Sequence, residues 1–213
     1  MIYMNKLVKS LAAFAVANGL LAGAASAASV IFEDDFNRAN NTSVGNGWTE
    51  LEDDNNDVRI ISNQLRLRDF LPGNPDAAAA SAVIDATGYT NITVSFDWRS
   101  LDPNESSDDL FLVWALDPRP ALTNEGAWTE VFQGGSGGTN TFSESVSISP
   151  GADNSMFNLM FWSDVGTGSE GFLIDNLVVT GDLISPVPVP ASLPLLAAAF
   201  AGFGVMRRRK NKS

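Results

Sequence analysis

The stretch from Ala28 to Asp182 predicts an all-β domain, a two-sheet antiparallel β-sandwich of the jelly-roll kind. Three observations carry this. No long segment has an apolar period of 3.6 residues. Short apolar or alternating runs are instead separated by turn residues, and about ten such runs fill the stretch. Two of the runs are apolar almost without interruption, which predicts strands covered on both faces. No repeat of fixed period occurs, which argues against a propeller or a β-helix.

The predicted strands are Val30–Phe36, Val58–Ile61, Gln64–Arg68, Ala82–Asp85, Ile92–Trp98, Leu110–Leu116, Trp128–Phe132, Phe142–Ser149, Met156–Trp162 and Gly171–Thr180. Alternation is cleanest in Ile92–Trp98, where the even positions are apolar, and Gln64–Arg68 repeats the pattern. The two continuous runs are Leu110–Leu116 and Phe157–Trp162. Ser62-Asn63 between two strand-like runs reads as a tight hairpin. Gly45-Asn46-Gly47, Pro72-Gly73-Asn74-Pro75 and Pro150-Gly151 punctuate the rest.

The two ends carry addresses rather than fold. Lys6 and Lys9 precede a charge-free, apolar stretch, and Ala25-Ser26-Ala27 places small residues at −3 and −1 of a cleavage site after Ala27. Residues 1–27 therefore read as a signal peptide, a short helix for export through the Sec pathway. No cysteine follows the site, which excludes a lipid-modified N-terminus. At the other end, residues 183–190 are a Pro-rich linker and 191–206 an apolar segment. Residues 207–213 are a basic tail opening on Arg207, Arg208 and Arg209. The apolar segment would reach about 24 Å as a helix, a thin span of a hydrocarbon core about 30 Å thick. Its basic tail would stay in the cytoplasm.

Val187-Pro188-Val189-Pro190-Ala191, a short hydrophobic helix and a terminal basic cluster follow in that order. This arrangement resembles the PEP-CTERM class of sorting signals, in particular its VPLPA-type variant, with Val189 where that motif has leucine. The resemblance covers only the end of the chain. It implies an exosortase, a membrane protease that cuts near the motif, as a partner. It further implies a transient membrane anchor, followed by display at the cell surface or release.

Once both ends are set aside the charge sharpens. All 25 acidic residues of the chain remain, against six arginines (Arg38, Arg59, Arg66, Arg68, Arg99 and Arg119) and no lysine, a formal charge of −19 where the whole chain has −12. Such a surface repels nucleic acid and attracts cations, so a nucleic-acid partner is excluded. The chain has neither cysteine nor histidine. It lacks disulfides to brace it, the commonest general base and the usual zinc ligand.

The domain opens on Phe32-Glu33-Asp34-Asp35-Phe36-Asn37-Arg38 and Gly45-Asn46-Gly47-Trp48, and closes on Phe172-Leu173-Ile174-Asp175-Asn176-Leu177-Val178-Val179. These runs resemble the ends of jelly-roll and concanavalin-like sandwiches found in carbohydrate-binding modules and surface adhesion domains. The resemblance implies that first and last strands lie together and that acids from each hold a structural calcium ion. Glu33 and Asp35 share a strand face, and Asp175 on the closing strand would complete the set. Asp53, Asn55 and Asp57 have the opening spacing of a calcium loop, but Val58 stands where glycine is needed, so a polar surface loop is the better reading.

Sugar binding needs aromatic platforms. Trp98, Trp114 and Trp162 sit inside apolar runs and read as core, which leaves Trp48 and Trp128 as platforms. For catalysis a two-carboxylate glycosidase would be chemically open, but the nearest match to the E-x-D-x-x-E strand motif of sandwich glycosidases, Glu52-Asp53-Asp54-Asn55-Asn56-Asp57, lies in a polar turn-like stretch with Asp57 in the last place. The chain thus reads as a non-catalytic exported surface or matrix protein. The alternative is a calcium-stabilised carbohydrate-binding module with extracellular polysaccharide as partner. Mass spectrometry of the exported protein is expected to find Ala28 at its N-terminus; an uncut Met1 would contradict the signal-peptide reading.

Overall fold

In the computed structural model the described residues are 27–68, 77–101, 108–135, 139–166 and 170–184. The chain divides into a unit Met1–Leu183 and a unit Ile184–Ser213, and of the second only Ile184 is described. The described residues of the first unit form two antiparallel six-stranded sheets packed face to face. Among the described residues the only helix is a single 3₁₀ turn, Glu125–Ala127, and no helix is long and apolar enough to cross a membrane. The expected signal and membrane helices lie outside the described residues.

The strands in chain order are β1 (Ser29–Asp34), β2 (Thr49–Leu51), β3 (Val58–Ile61), β4 (Gln64–Leu67), β5 (Ala78–Ala80), β6 (Ile84–Asp85), β7 (Tyr89–Ser100), β8 (Asp109–Leu116), β9 (Thr129–Gly135), β10 (Phe142–Ser147), β11 (Met156–Asp164) and β12 (Phe172–Leu183). The first sheet runs β10-β7-β12-β4-β3, with β1 also on β12. The second runs β2-β5-β11-β8-β9, with β6 also on β11. Each expected strand is present. The expectation lacked β2 and β5, both three residues long. The Ala-rich β5 carries little intrinsic strand preference, so its place comes from pairing with β2 and β11 rather than from composition.

Local chemistry explains the register. Ser62 and Asn63 both have positive φ, 53° and 62°, and join β3 to β4 as a two-residue hairpin whose twist matches the flanking strands. In β7 the even residues Ile92, Val94, Phe96 and Trp98 are buried while the odd ones are half-buried or exposed, as alternation requires. Leu65 and Leu67 of β4 and Val58 and Ile60 of β3 point into the same core.

The core lies between the sheets. Phe96 from the first sheet and Phe161 from the second meet edge to face at 5.1 Å, both almost fully enclosed. Phe132 packs on Phe96 at 5.2 Å and on Trp98 at 5.7 Å. Such offset pairs add about 0.5–1.5 kcal/mol each beyond the area they bury. Replacing Phe161 with alanine should cost about 3–5 kcal/mol. Chemical denaturation read by tryptophan fluorescence checks this, and a loss under 1 kcal/mol would mean the two sheets do not share this contact.

Candidate functional site

The opening and closing strands do lie together. β1 pairs antiparallel with the second half of β12, Glu33 opposite Val178 and Asp34 opposite Leu177. Here β12 carries a bulge between Asp175 and Val178, with Asn176 at φ 51°. The bulge and the Gly45-Asn46-Gly47 turn, all three residues at positive φ, frame a cleft of about 410 Å³. Glu33, Asp34, Asp35, Asn46, Asn176, Leu177 and Val178 line it.

Two of the three expected metal ligands, Glu33 and Asp35, are therefore at this cleft, but Asp175 is not. Asp175 sits on the other side of the bulge, where its carboxylate accepts hydrogen bonds from Gln64 Nε2 at 3.3 Å and from the Asn176 backbone N–H at 2.8 Å. Asn176 takes its place in the lining, and its side-chain amide donates to Asp97 Oδ2 at 2.8 Å. Among the described residues no three acidic side chains are grouped to hold a metal ion. Glu33 and Asp35 thus line the cleft together, while Asp175, bonded to Gln64, is not part of its lining.

Asp34, between the two expected ligands, is the residue the sequence reading passed over. It is buried, and its carboxylate accepts four hydrogen bonds. Oδ1 takes the Phe36 backbone N–H at 2.8 Å and Arg38 Nη1 at 2.7 Å. Oδ2 takes Arg38 Nη2 at 3.0 Å and Trp48 Nε1 at 2.9 Å. Arg38 Nε reaches the Val44 carbonyl at 2.7 Å, and the Phe36 and Trp48 rings pack at 5.5 Å. The motif Asp34-x-Phe36-x-Arg38 followed by Gly-Asn-Gly-Trp is thus one polar knot that ties β1 to the loop after it. Burial pushes the Asp34 carboxyl up. The hydrogen bonds from Arg38, Phe36 and Trp48, with the Arg38 charge, outweigh that and hold it below its ordinary 3.8.

Trp48 is consequently not a platform. Only 8 % of it is exposed, and its indole N–H is committed to Asp34. Trp128 is 6 % exposed with its indole N–H on the Ala121 carbonyl at 3.3 Å, so it is not one either. The Asp53–Asp57 stretch is a self-bonded polar turn: Asp57 Oδ2 accepts the Asp54 N–H at 3.0 Å and Asp54 Oδ1 the Asn56 N–H at 2.8 Å. Of the address residues, Ala27 is exposed coil. Ala25, Val187, Pro188, Val189, Pro190, Ala191, Arg207, Arg208 and Arg209 lie outside the described residues.

A second apolar cluster, mostly buried, lies on the outer face of the second sheet. In β8, Leu110, Leu112 and Trp114 face the core, and in β11 Phe157, Leu159 and Phe161 do. The alternate residues Phe111, Val113, Ala115 and Met160 form a second apolar cluster with Ala78, Ala80 and Trp128, against which Leu51, Leu122 and Trp162 pack. This is the covering on both faces that the continuous runs predict. Trp162 is half-buried and stacks on Phe111, rings 4.0 Å apart and 8° from parallel. Its neighbour on β5 is the buried Ala78. Trp98 and Trp114 are in the core as expected; Trp162 is not. Its parity with Met160, opposite to Phe161, was the available clue.

No protein-family profile matches the chain. No curated protein matches it either. Solved structures do. The K3 cleaved adhesin domain of Lys-gingipain from Porphyromonas gingivalis W83 is similar over 72 % of this chain and 99 % of that one, with a TM-score of 0.53 at 10 % identity. A family 29 carbohydrate-binding module is similar over 73 % and 89 %, with a TM-score of 0.46 at 12 % identity. A carbohydrate-binding module studied for specific mannan recognition is similar over 73 % and 99 %, at 0.44 and 16 %. The adhesin-domain likeness shows a shared β-sandwich fold.

The Asp34 knot makes a pH-dependent contribution of definite sign. Its folded pKa is depressed, so its stabilisation is complete above the ordinary 3.8 and is lost as pH falls through the lower folded value. Asp34→Asn should cost about 3 kcal/mol near neutral pH, and the gap to the wild type should close below that window. Urea titrations at pH 7 and at pH 3 check this; a gap that is equal at both would contradict the assignment.

Proposed function

We propose that the chain is exported and held at a membrane by its C-terminal tail until an exosortase-type protease acts. It then serves at the cell surface or in the extracellular matrix as a non-catalytic polysaccharide-binding module. The export and sorting parts are supported by the ordered signals at the two ends. The binding part is carried by one observation, the Trp162–Phe111 stack on the outer face of the second sheet. A flat, half-buried indole beside a small alanine offers an apolar plate to the C–H face of a neutral sugar ring. The surrounding apolar cluster keeps that plate rigid, which limits the entropy lost on binding.

Affinity electrophoresis of the exported protein through gels of glucan, mannan or xylan should show retardation by at least one of them. Trp162→Ala should weaken it about tenfold while leaving the melting temperature close to wild type. Unretarded migration in every gel, or an unchanged retardation in the variant, would overturn this assignment.

A further inference from the structure

Beside the Trp162–Phe111 stack the same outer face turns acidic. Asp164 lies two residues past Trp162 on β11, hence on the same face and about 6.8 Å along the strand. Asp109 lies two residues before Phe111 on β8 and is directly opposite Asp164. A third carboxylate comes from the loop after β8: Glu125, in the 3₁₀ turn Glu125–Ala127, is close enough to feel the Asp164 charge. Its carboxyl is raised above the ordinary 4.5, by burial first and by Asp164 second. Asp164 is exposed, and Asp109 and Glu125 are half-buried.

Like charges directly across two strands repel, so this grouping is unfavourable unless a cation joins it. Among the described residues none of the three acids is in an ion pair. The six basic residues of 28–182 are all arginines with other surroundings. Arg59, Arg66, Arg68 and Arg99 lie in or next to strands of the first sheet, and Arg38 is paired with Asp34. Arg119 donates to Thr49 Oγ1 at 3.0 Å, on β2, two strands away from β11. Asp109 accepts a hydrogen bond from Gln133 Nε2 at 2.9 Å, and a neutral amide leaves its charge in place. Among the described residues no three acids are grouped to hold one metal ion. Carboxylates set around an aromatic plate suit instead a ligand that joins an apolar ring to a positive charge.

We propose that the Trp162 site takes an amino polysaccharide, its sugar ring on the Trp162 plate and its protonated amine among Asp164, Asp109 and Glu125. This rests on the polysaccharide-binding reading and names the charge class of its ligand. An ammonium gives charge-assisted hydrogen bonds to carboxylates, shorter and stronger than neutral ones. It is also drawn to an indole by the charge distribution of the ring. The formal charge of −19 on residues 28–182 attracts any polycation to the domain as a whole. What this face adds is the plate, which rewards a ligand with sugar rings over one with amines alone. A basic peptide has the amines without the rings, so the two are separable.

The test is calorimetric titration of the exported protein with a soluble chitosan oligosaccharide, the same oligosaccharide fully N-acetylated, and an oligolysine of similar charge. At physiological salt the amine-bearing sugar should bind about tenfold more tightly than its acetylated form, and more tightly than oligolysine. Trp162→Ala should weaken both sugars and leave oligolysine unchanged. Asp164→Asn should weaken the amine-bearing sugar about threefold, and together with Glu125→Gln about tenfold, without affecting the acetylated one. Asp182→Asn removes the same charge from the first sheet and should change binding by less than about 1.5-fold. Equal binding of the two sugars, equal effects of Asp164→Asn and Asp182→Asn, or oligolysine binding as tight as the amine-bearing sugar would overturn the proposal. If the acetylated sugar still binds through Trp162 in those cases, the carboxylates alone lose their role. If Trp162→Ala changes neither sugar, the polysaccharide-binding reading falls with them.

Discussion

The closing strand has to satisfy three neighbours at once, and most of the architecture follows from that. Phe172–Leu183 is bonded along its length to Tyr89–Ser100 on one edge. On its other edge it pairs first with Gln64–Leu67 and then with Ser29–Asp34. Because side chains alternate strictly, one register sets which face every residue of four strands presents. Leu173 falls between Arg66 and Arg99 because β12 joins their strands. The bulge at Asn176 is where the strand changes partner, and it separates Asp175 from Glu33 and Asp35.

Closing the domain also requires the first strand to stop at a defined place. The Asp34 knot does this by gathering donors from its own turn, from Arg38 and from Trp48. An unpaired carboxylate at that depth would be strongly destabilising, so burial of Asp34 depends on all four bonds forming together. Both tryptophan and arginine are thereby spent on structure. Trp48, which looks in sequence like a ligand platform, is part of one closure with Arg38 and Asp34. In a domain without disulfides, such a knot supplies local rigidity that the sheets alone do not.

Much of this fold was legible because alternation and turn chemistry are local. Ile92 to Trp98, the Ser62-Asn63 hairpin and the doubly covered β8 and β11 could all be read from period and punctuation. Thr49–Leu51 and Ala78–Ala80 could not, since the first is only three residues long, the second is all alanine, and both are fixed by long-range pairing. The candidate sites were less legible. Whether Trp128 or Trp162 is open to solvent depends on which loop folds over the sheet. Whether Asp175 joins Glu33 depends on a one-residue bulge. Asp34 was hidden between two acids that sequence spacing favours, because spacing on a strand says which residues share a face but not which face is buried.

The outer face of the second sheet carries its own apolar cluster, with Trp162 half-buried at its edge. The claim that matters most is that Trp162 is the sugar-contacting plate. It is tested most directly by following the indole N–H resonances of the chain's five tryptophans during titration with soluble neutral oligosaccharides. The account predicts that the Trp162 resonance moves to saturation. Those of Trp48 and Trp98, bonded to Asp34 and Glu144, should stay in place. Saturable binding that leaves Trp162 unmoved, or shifts confined to the enclosed indoles, would contradict it.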